Sequence, residues 1–167
     1  LLAPLPAARA ALLVRLGTAR ADLALHEPAE ALPAGEALRA ALALDGASSQ
    51  DRLSAEVRLA QLALEHGDDA NARRWLAAAR TRLGQSGRFP TIERAFVLAL
   101  EAHRARIAGS AAEREAAAAL LSSALDTLLA EWRATEPPPG GVGHLHFLRA
   151  SFVIAEGMAL ALARDRR

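Results

Sequence analysis

The chain has 167 residues, with twenty basic and nineteen acidic side chains and a formal net charge of +1. This balance does not indicate a nucleic-acid groove, and the lack of cysteine excludes disulfides, thiolate metal sites and a cysteine nucleophile. Alanine dominates and β-branched residues are scarce, which predicts an all-α fold of closely packed helices. All twenty basic residues are Arg, which indicates a GC-rich, bacterial genome.

The N-terminal run LLAPLPAARAALLVRL is apolar but lacks the features of a signal peptide or a membrane span. It has no basic leader, and Arg9 and Arg15 interrupt its apolar residues. The sequence therefore predicts no membrane segment and a cytoplasmic location. Because the chain begins without Met, we also expect it to be a piece of a longer protein.

The first pair of helices is predicted over about residues 6–44. Pro6 can occupy the first turn of a helix that ends near His26, where Glu27-Pro28 breaks the pattern. A second helix then runs to Leu44. Three leucines are predicted among the buried positions of the first helix: Leu13, Leu16 and Leu23.

The clearest pattern lies in residues 51–84, which predict two amphipathic helices joined by a short polar turn. Apolar residues at i, i+4, i+7 and i+11 form one stripe on each helix: Leu53, Val57, Ala60, Leu64 and Ala72, Leu76, Ala79, Leu83. The first helix has a second apolar flank: Leu59, Leu62 and Ala63. Gly67 permits a left-handed turn, Asp68 and Asp69 can cap the second helix, and Gly84 is predicted to end it. Four arginines are predicted on its outer face: Arg73, Arg74, Arg80 and Arg82.

A third pair is predicted over residues 91–133. Gly109 ends its first helix, and Ser110 with Glu113 forms a capping box at the start of the second. The Pro- and Gly-rich segment 135–143 is predicted to be a linker, and a final amphipathic helix is predicted over 143–163.

The pattern A-x3-L-x2-A occurs in the second helix of each pair, starting at Ala34, Ala72 and Ala117. Its recurrence at the same place in each pair indicates repeats with loops of variable length. We therefore predict one helical-repeat domain over residues 1–167, with about seven helices.

The pair over residues 51–84 resembles the tetratricopeptide repeat. Six residues match the small and large positions and the turn glycine of that motif: Leu59, Ala60, Gly67, Ala72, Leu76 and Ala79. The sequence departs from the motif at Glu56, where Trp is common, and at Ala63, where an aromatic residue is common. The resemblance implies an α-solenoid of tandem antiparallel hairpins that acts as a protein-interaction scaffold.

The segment from Leu128 to Phe152 resembles the region that leads toward the caspase-like peptidase domain of CHAT-family proteins. The resemblance is carried by these residues: Trp132, Arg133, the Pro-rich turn, Gly140, Gly141, Val142, Gly143, Leu145, His146 and Phe147. Peptidases of that family use a His and Cys pair, which this chain lacks. The resemblance thus implies a regulatory region of a larger enzyme, and the sensor arm of a transcription regulator is a further alternative.

No residue set in the sequence predicts catalysis, a cofactor or a metal. His144 and His146 are two residues apart, so on a helix they point away from each other, and no neighbouring carboxylate completes a ligand set. The GGVG run after the prolines lacks the Lys and Ser or Thr of a phosphate-binding loop. We therefore predict that this chain is not itself an enzyme.

In repeat scaffolds the first helix of each pair usually lines the concave surface. A protein or peptide partner is predicted to contact six polar residues of those helices: Arg58, Gln61, Glu65, Arg94, Glu101 and Arg104. No nucleic-acid partner is predicted, and the sequence leaves the oligomeric state open.

Overall fold

The structure is a computed structural model that describes residues 5–85 and 91–134. These residues form helices and connecting turns with no strand among them, which confirms the predicted all-α class. The six α-helices of this part of the chain are α1 (Pro6–Ala24), α2 (Ala31–Leu42), α3 (Ser49–Glu65), α4 (Asp69–Gln85), α5 (Thr91–Ala108) and α6 (Ala111–Ala134). A short 3-10 helix over Pro28–Glu30 precedes α2.

The chain divides into two compact units, Leu1–Gly87 and Arg88–Arg167. In the first unit, α1 packs on α2 and α3 packs on α4, while both α1 and α2 also contact α3. In the second unit, α5 packs on α6. Neighbouring helices therefore pack in pairs within each unit.

Several sequence predictions fall outside the described residues. These are the linker 135–143, the final helix 143–163, and the His144, His146 and GGVG positions. The residues after Ala134 that carry the resemblance to the CHAT-associated region also fall there.

Helix α1 buries its small residues rather than its leucines. Its buried positions are Ala10, Val14, Gly17 and Ala21. The prediction that Leu16 and Leu23 are buried is wrong, since they are 45% and 50% exposed, whereas Leu13 is partly buried against the core. The small residues allow α1 to approach α2 closely, and a Cβ atom added to Gly17 would lie 2.6 Å from Leu38 Cγ. A leucine face could not approach α2 so closely.

A common core joins α1, α2 and α3. Its buried members are Val14, Ala21, Ala34, Leu38, Ala41, Ala55, Leu59 and Leu62. Helix α3 contributes Leu59 and Leu62 of its second apolar flank to this core, while its first stripe, which includes Leu53 and Val57, is also buried. The prediction of two apolar flanks on α3 is therefore confirmed.

The turn between α3 and α4 follows the prediction. Gly67 has a φ of +70°, and Asp68 Oδ1 accepts a hydrogen bond of 3.1 Å from the Asn71 backbone N–H. The predicted stripe of α4 is buried at all four positions. Gly84 does not end α4, however, because the helix continues to Gln85. Nothing lies within 4 Å of the position that a Cβ atom would occupy at Gly84.

A buried ion pair connects α3 to α4. Glu56 is 4% exposed, and its two carboxylate oxygens accept hydrogen bonds of 2.6 and 2.9 Å from the Arg82 guanidinium. The prediction that Arg82 lies on the outer face is therefore wrong. A buried carboxylate is stable only with a partner, and Arg82 supplies the opposite charge through a bidentate hydrogen-bonded contact.

Two helix starts share one capping arrangement. At the start of α3, the Asp51 N–H donates to Ser48 Oγ at 3.0 Å, and Arg52 Nε donates to the carbonyl of Ala47 at 3.2 Å. At the start of α6, the predicted capping box is confirmed: Ser110 N–H donates to Glu113 Oε2 at 2.8 Å. There Arg114 donates to the carbonyl of Gly109 at 2.7 Å, so both starts have the pattern Ser-x-x-acid-Arg.

We expect Arg52→Ala to lower the free energy of unfolding by about 2 kcal/mol. The Arg52 guanidinium also donates to the carbonyls of Leu42 and Leu44 at 3.0 and 2.8 Å. A side chain of α3 thus supplies hydrogen bonds to carbonyl groups at and just after the end of α2. Urea unfolding followed by circular dichroism measures the effect. Arg52→Lys keeps the charge without the planar donor set and should recover less than half of the loss, and full recovery by Lys would contradict this account.

Candidate functional site

A groove with a volume of about 460 Å³ lies in the first unit between the 3-10 helix, α2, α3 and α4. Its apolar lining consists of Pro28, Ala31, Leu32, Gly35, Leu59, Leu62, Ala63 and Trp75. Its polar lining consists of Arg39, His66, Asp68, Asn71 and Arg74. We call these residues the groove.

The bottom of the groove is formed by the second apolar flank of α3. Leu59, Leu62 and Ala63 are 3%, 8% and 9% exposed, so little of their surface remains open there. Across from them on α2, Leu32 is 67% exposed. Such an exposed apolar side chain beside a concave apolar surface favours the burial of a ligand's apolar group.

Gly35 leaves a gap in α2 that the Arg39 side chain covers. A Cβ added to Gly35 would lie 3.1 Å from Arg39 Nη1 and 3.4 Å from Nη2. The guanidinium of Arg39 therefore lies against the backbone of the preceding turn, at the edge of the groove.

Trp75 contributes an aromatic wall to the groove. It is partly buried against the common core, and the Arg74 guanidinium carbon lies 4.9 Å from the centroid of its ring. At this distance the cation is attracted by the face of the indole ring. The contact positions Arg74 beside the groove and leaves its N–H donors available for an anion.

The two groove arginines differ from several others in the described chain. Arginines that form ion pairs with carboxylates include Arg20, Arg58, Arg73, Arg82 and Arg104. Arg39 and Arg74 form no ion pair with any described residue. Asp68 also lines the groove, but its carboxylate accepts bonds from the Asn71 backbone and side chain. The groove therefore carries two arginines whose charges no described carboxylate neutralises.

His66 closes the end of α3 next to the groove. Its Nδ1 lies 2.8 Å from the carbonyl oxygen of Leu62. Because a carbonyl only accepts hydrogen bonds, Nδ1 carries the proton in this contact. A hydrogen bond to the backbone of α3 thus holds the imidazole ring against the end of that helix.

The six predicted contact residues lie in two separate groups, neither of which lines the groove. Arg58, Gln61 and Glu65 are on α3, where Arg58 pairs with Asp22 of α1 at 3.0 Å and donates to Gln61 at 3.1 Å. The other three are on α5 in the second unit: Arg94, Glu101 and Arg104. Of these, Arg104 pairs with Glu113 of α6 at 2.8 Å. A role of these six in partner binding stays a prediction.

Sequence reasoning did not find the groove. It placed Arg74 on a solvated face and gave Trp75 no role, and it did not single out Arg39 or His66. One local signal was present, because Gly35 interrupts a helix otherwise built largely from alanine and leucine. A glycine inside a helix indicates either a close approach or a gap in the surface.

The environment of Glu65 predicts a pH-dependent stability. Partial burial raises the pKa of its carboxyl above the ordinary value, and Asp22 adds to the rise, while His66 and Arg58 oppose it. A raised pKa favours the protonated folded state, so this contribution is present at acid pH and is lost as pH rises through the folded pKa. We expect Glu65→Gln to be slightly more stable than the parent at neutral pH and equal to it below about pH 4. Urea unfolding at both pH values tests this, and a less stable variant at neutral pH would contradict it.

No described group of three or more His, Asp and Glu side chains is placed to hold a metal ion. Nor is any helix in residues 5–85 and 91–134 long and apolar enough to cross a membrane.

Comparisons with family models, with curated proteins and with solved structures find no match to the chain. The tetratricopeptide and CHAT resemblances therefore stay predictions.

Proposed function

We propose that this chain is a helical protein-interaction scaffold and that the groove binds a segment of a partner protein. The observation that carries the proposal is the combination of an apolar lining with two arginines that form no ion pair with any described residue. Apolar surface supplies affinity, and guanidinium groups at its edge supply orientation and specificity. The arrangement of tandem tetratricopeptide-like hairpins and a cytoplasmic location belong to the same proposal.

The partner segment should bring an apolar side chain to Leu32 and Trp75 and a carboxylate to Arg39 or Arg74. Arginine binds carboxylates through two parallel N–H groups, which fixes the direction of the bound segment. Trp and Arg are also the residue types that most often dominate binding energy at protein interfaces. These four residues are therefore the expected centre of the interface.

The test begins with the selection of binders from a displayed library of random peptides, using the full chain as bait. The best peptide is synthesised with a fluorescent label, and its affinity is measured by anisotropy. We expect Leu32→Glu to weaken binding about tenfold or more, since it places a charge on the apolar surface. The matched control is Leu25→Glu, because Leu25 is 62% exposed and does not line the groove.

The two groove arginines are tested with variants and a control of their own. Arg39→Ala with Arg74→Ala should weaken binding about tenfold and reduce its dependence on salt, whereas Arg80→Ala on the exposed face of α4 should not. Trp75 fluorescence, isolated by Trp132→Phe, should change when the peptide binds the parent.

The outcomes distinguish a partner segment bound in the groove from one bound at the α3 contact residues predicted from the sequence, such as Arg58. If Arg58→Ala weakens binding and Leu32→Glu does not, the bound segment lies on the predicted face and the groove proposal is overturned. Failure to select any peptide that is sensitive to either change would remove the scaffold function itself.

A further inference from the structure

Helix α1 has a second apolar face, opposite the small residues that pack on the core. Three leucines on it remain exposed, Leu12 by 61%, Leu16 by 45% and Leu23 by 50%, and Leu5, immediately before the helix, is 76% exposed. With Arg9 and Ala19, which are also exposed, they occur at alternating intervals of four and three residues. We call these six residues the α1 seam.

The spacing of the α1 seam is that of a coiled-coil interface. Apolar residues that recur every 3.5 residues on average align with an equivalent row on a second helix, and each side chain then fits between side chains of the partner. The seam runs the length of α1, roughly 28 Å for nineteen residues at 1.5 Å each. The occupant that fits such a surface is a helix of similar length.

The charges beside the α1 seam determine which net charge a bound helix should have. Asp22 is paired with Arg58 at 3.0 Å and Arg20 with Glu30 at 3.6 Å, so these charges are neutralised within the unit. Arg9 and Arg15 form no ion pair with any described residue. The seam therefore presents an excess of positive charge, which complements an acidic helix.

A second copy of α1 does not supply that complement. In a parallel pairing, Arg9 would face Arg9 of the other copy within the seam. In an antiparallel pairing that places Leu12 opposite Leu16, Arg15 would lie beside its own equivalent. Both alignments bring like charges together at close range, which is unfavourable.

We propose that the α1 seam binds an acidic amphipathic helix of a partner protein. This surface is separate from the groove, since none of its six residues lines the groove. The scaffold would thus have two docking surfaces in its first unit, one for an extended segment or side chain and one for a helix.

The test uses the full chain and a synthetic three-heptad peptide with Leu at the seam positions and Glu at the flanking positions. A second peptide has Lys in place of Glu. Fluorescence anisotropy should show the acidic peptide binding about tenfold more tightly than the basic one at low salt. Leu12→Glu with Leu16→Glu should weaken acidic-peptide binding about tenfold or more. Leu25→Glu is the matched control and should change it by less than about twofold.

A charge reversal makes the test specific. Arg9→Glu with Arg15→Glu should invert the preference, so that the basic peptide binds more tightly than the acidic one. All of these side chains are exposed, and a circular dichroism spectrum equal to that of the parent checks that each variant is folded.

Four results would overturn the proposal. Equal binding of the two peptides, or no effect of the leucine changes, would show that the seam is not a helix-binding surface. Sedimentation of the full chain as a dimer that Leu12→Glu separates would assign the seam to a second copy. Co-sedimentation with vesicles of phosphatidylcholine and phosphatidylserine that Leu12→Glu abolishes would assign it to a lipid surface.

Discussion

Arg82→Ala is expected to lower the free energy of unfolding of the first unit by about 3 kcal/mol. The Glu56 side chain is 5% exposed, so without Arg82 its charge stays buried with no partner. Arg82 itself is 23% exposed, which allows some water to reach the pair and places the effect at the lower end for a buried ion pair. Urea unfolding followed by circular dichroism measures the loss.

The two partners of this ion pair should not cost the same when removed. Glu56→Gln leaves the more exposed member alone, and water can solvate Arg82 in part, so we expect a smaller loss of about 1–2 kcal/mol. Removing both charges with Glu56→Leu and Arg82→Met should return stability to within about 1 kcal/mol of the parent. Arg15→Ala is the control for an exposed arginine that forms no ion pair with any described residue, and it should change stability by less than about 0.5 kcal/mol. If the double variant is as unstable as Arg82→Ala, the charge argument fails.

The contact between Gly17 and Leu38 should produce the other large effect. Leu38 is fully buried in the common core, and Leu38→Ala is expected to cost about 3 kcal/mol because it removes apolar contacts and leaves a cavity. Gly17→Ala should also destabilise, by about 1–3 kcal/mol, since the new Cβ would lie 2.6 Å from Leu38 Cγ and 3.2 Å from the Ala34 carbonyl oxygen.

Combining the two changes should reverse the sign of the second one. With Leu38→Ala in place, the two Leu38 atoms nearest to the new methyl group are gone and only the Ala34 carbonyl oxygen remains close, at 3.2 Å, so Gly17→Ala should fill part of the cavity and stabilise the helix. The control is Gly84→Ala in α4, where nothing lies within 4 Å and the substitution should stabilise by up to about 1 kcal/mol. A Gly17→Ala change that stabilises the parent as well would show that α1 and α2 can move apart freely.

Local signals in the sequence were sufficient for the helices and their caps. The periodic leucines and alanines of α3 and α4, the glycine at 67 and the Ser110 and Glu113 pair each act within a few residues. Such features depend on backbone geometry and side-chain spacing, which the sequence contains directly.

Burial in α1 was predicted less well because hydrophobicity and close approach favour different faces. Leu16 and Leu23 are more apolar than Gly17 and Ala21, but only the smaller residues fit against Leu38 of α2. Periodicity shows that a helix has apolar faces and does not show which of two will be covered.

The ion pair and the groove depend on contacts between distant parts of the chain. Glu56 and Arg82 are 26 residues apart, and no local pattern distinguishes Arg82 from the exposed arginines near it. The groove requires the relative placement of α2, α3 and α4, and its sequence signal is limited to Gly35 inside a helix. The six predicted contact residues, which were taken from α3 and α5 by their place on the polar side of each helix, therefore do not line this surface.

The bonds of Arg52 to the carbonyls of Leu42, Leu44 and Ala47, which lie between the end of α2 and the start of α3, have a consequence for recognition. They fasten the last turn of α2 and the residues after it to the first turn of α3, and both of these helices line the groove. We expect this connection to restrict changes in the angle between α2 and α3 before a partner binds, so that association loses little conformational entropy. Binding to such a preformed surface should be fast and should leave the backbone of both helices nearly unchanged.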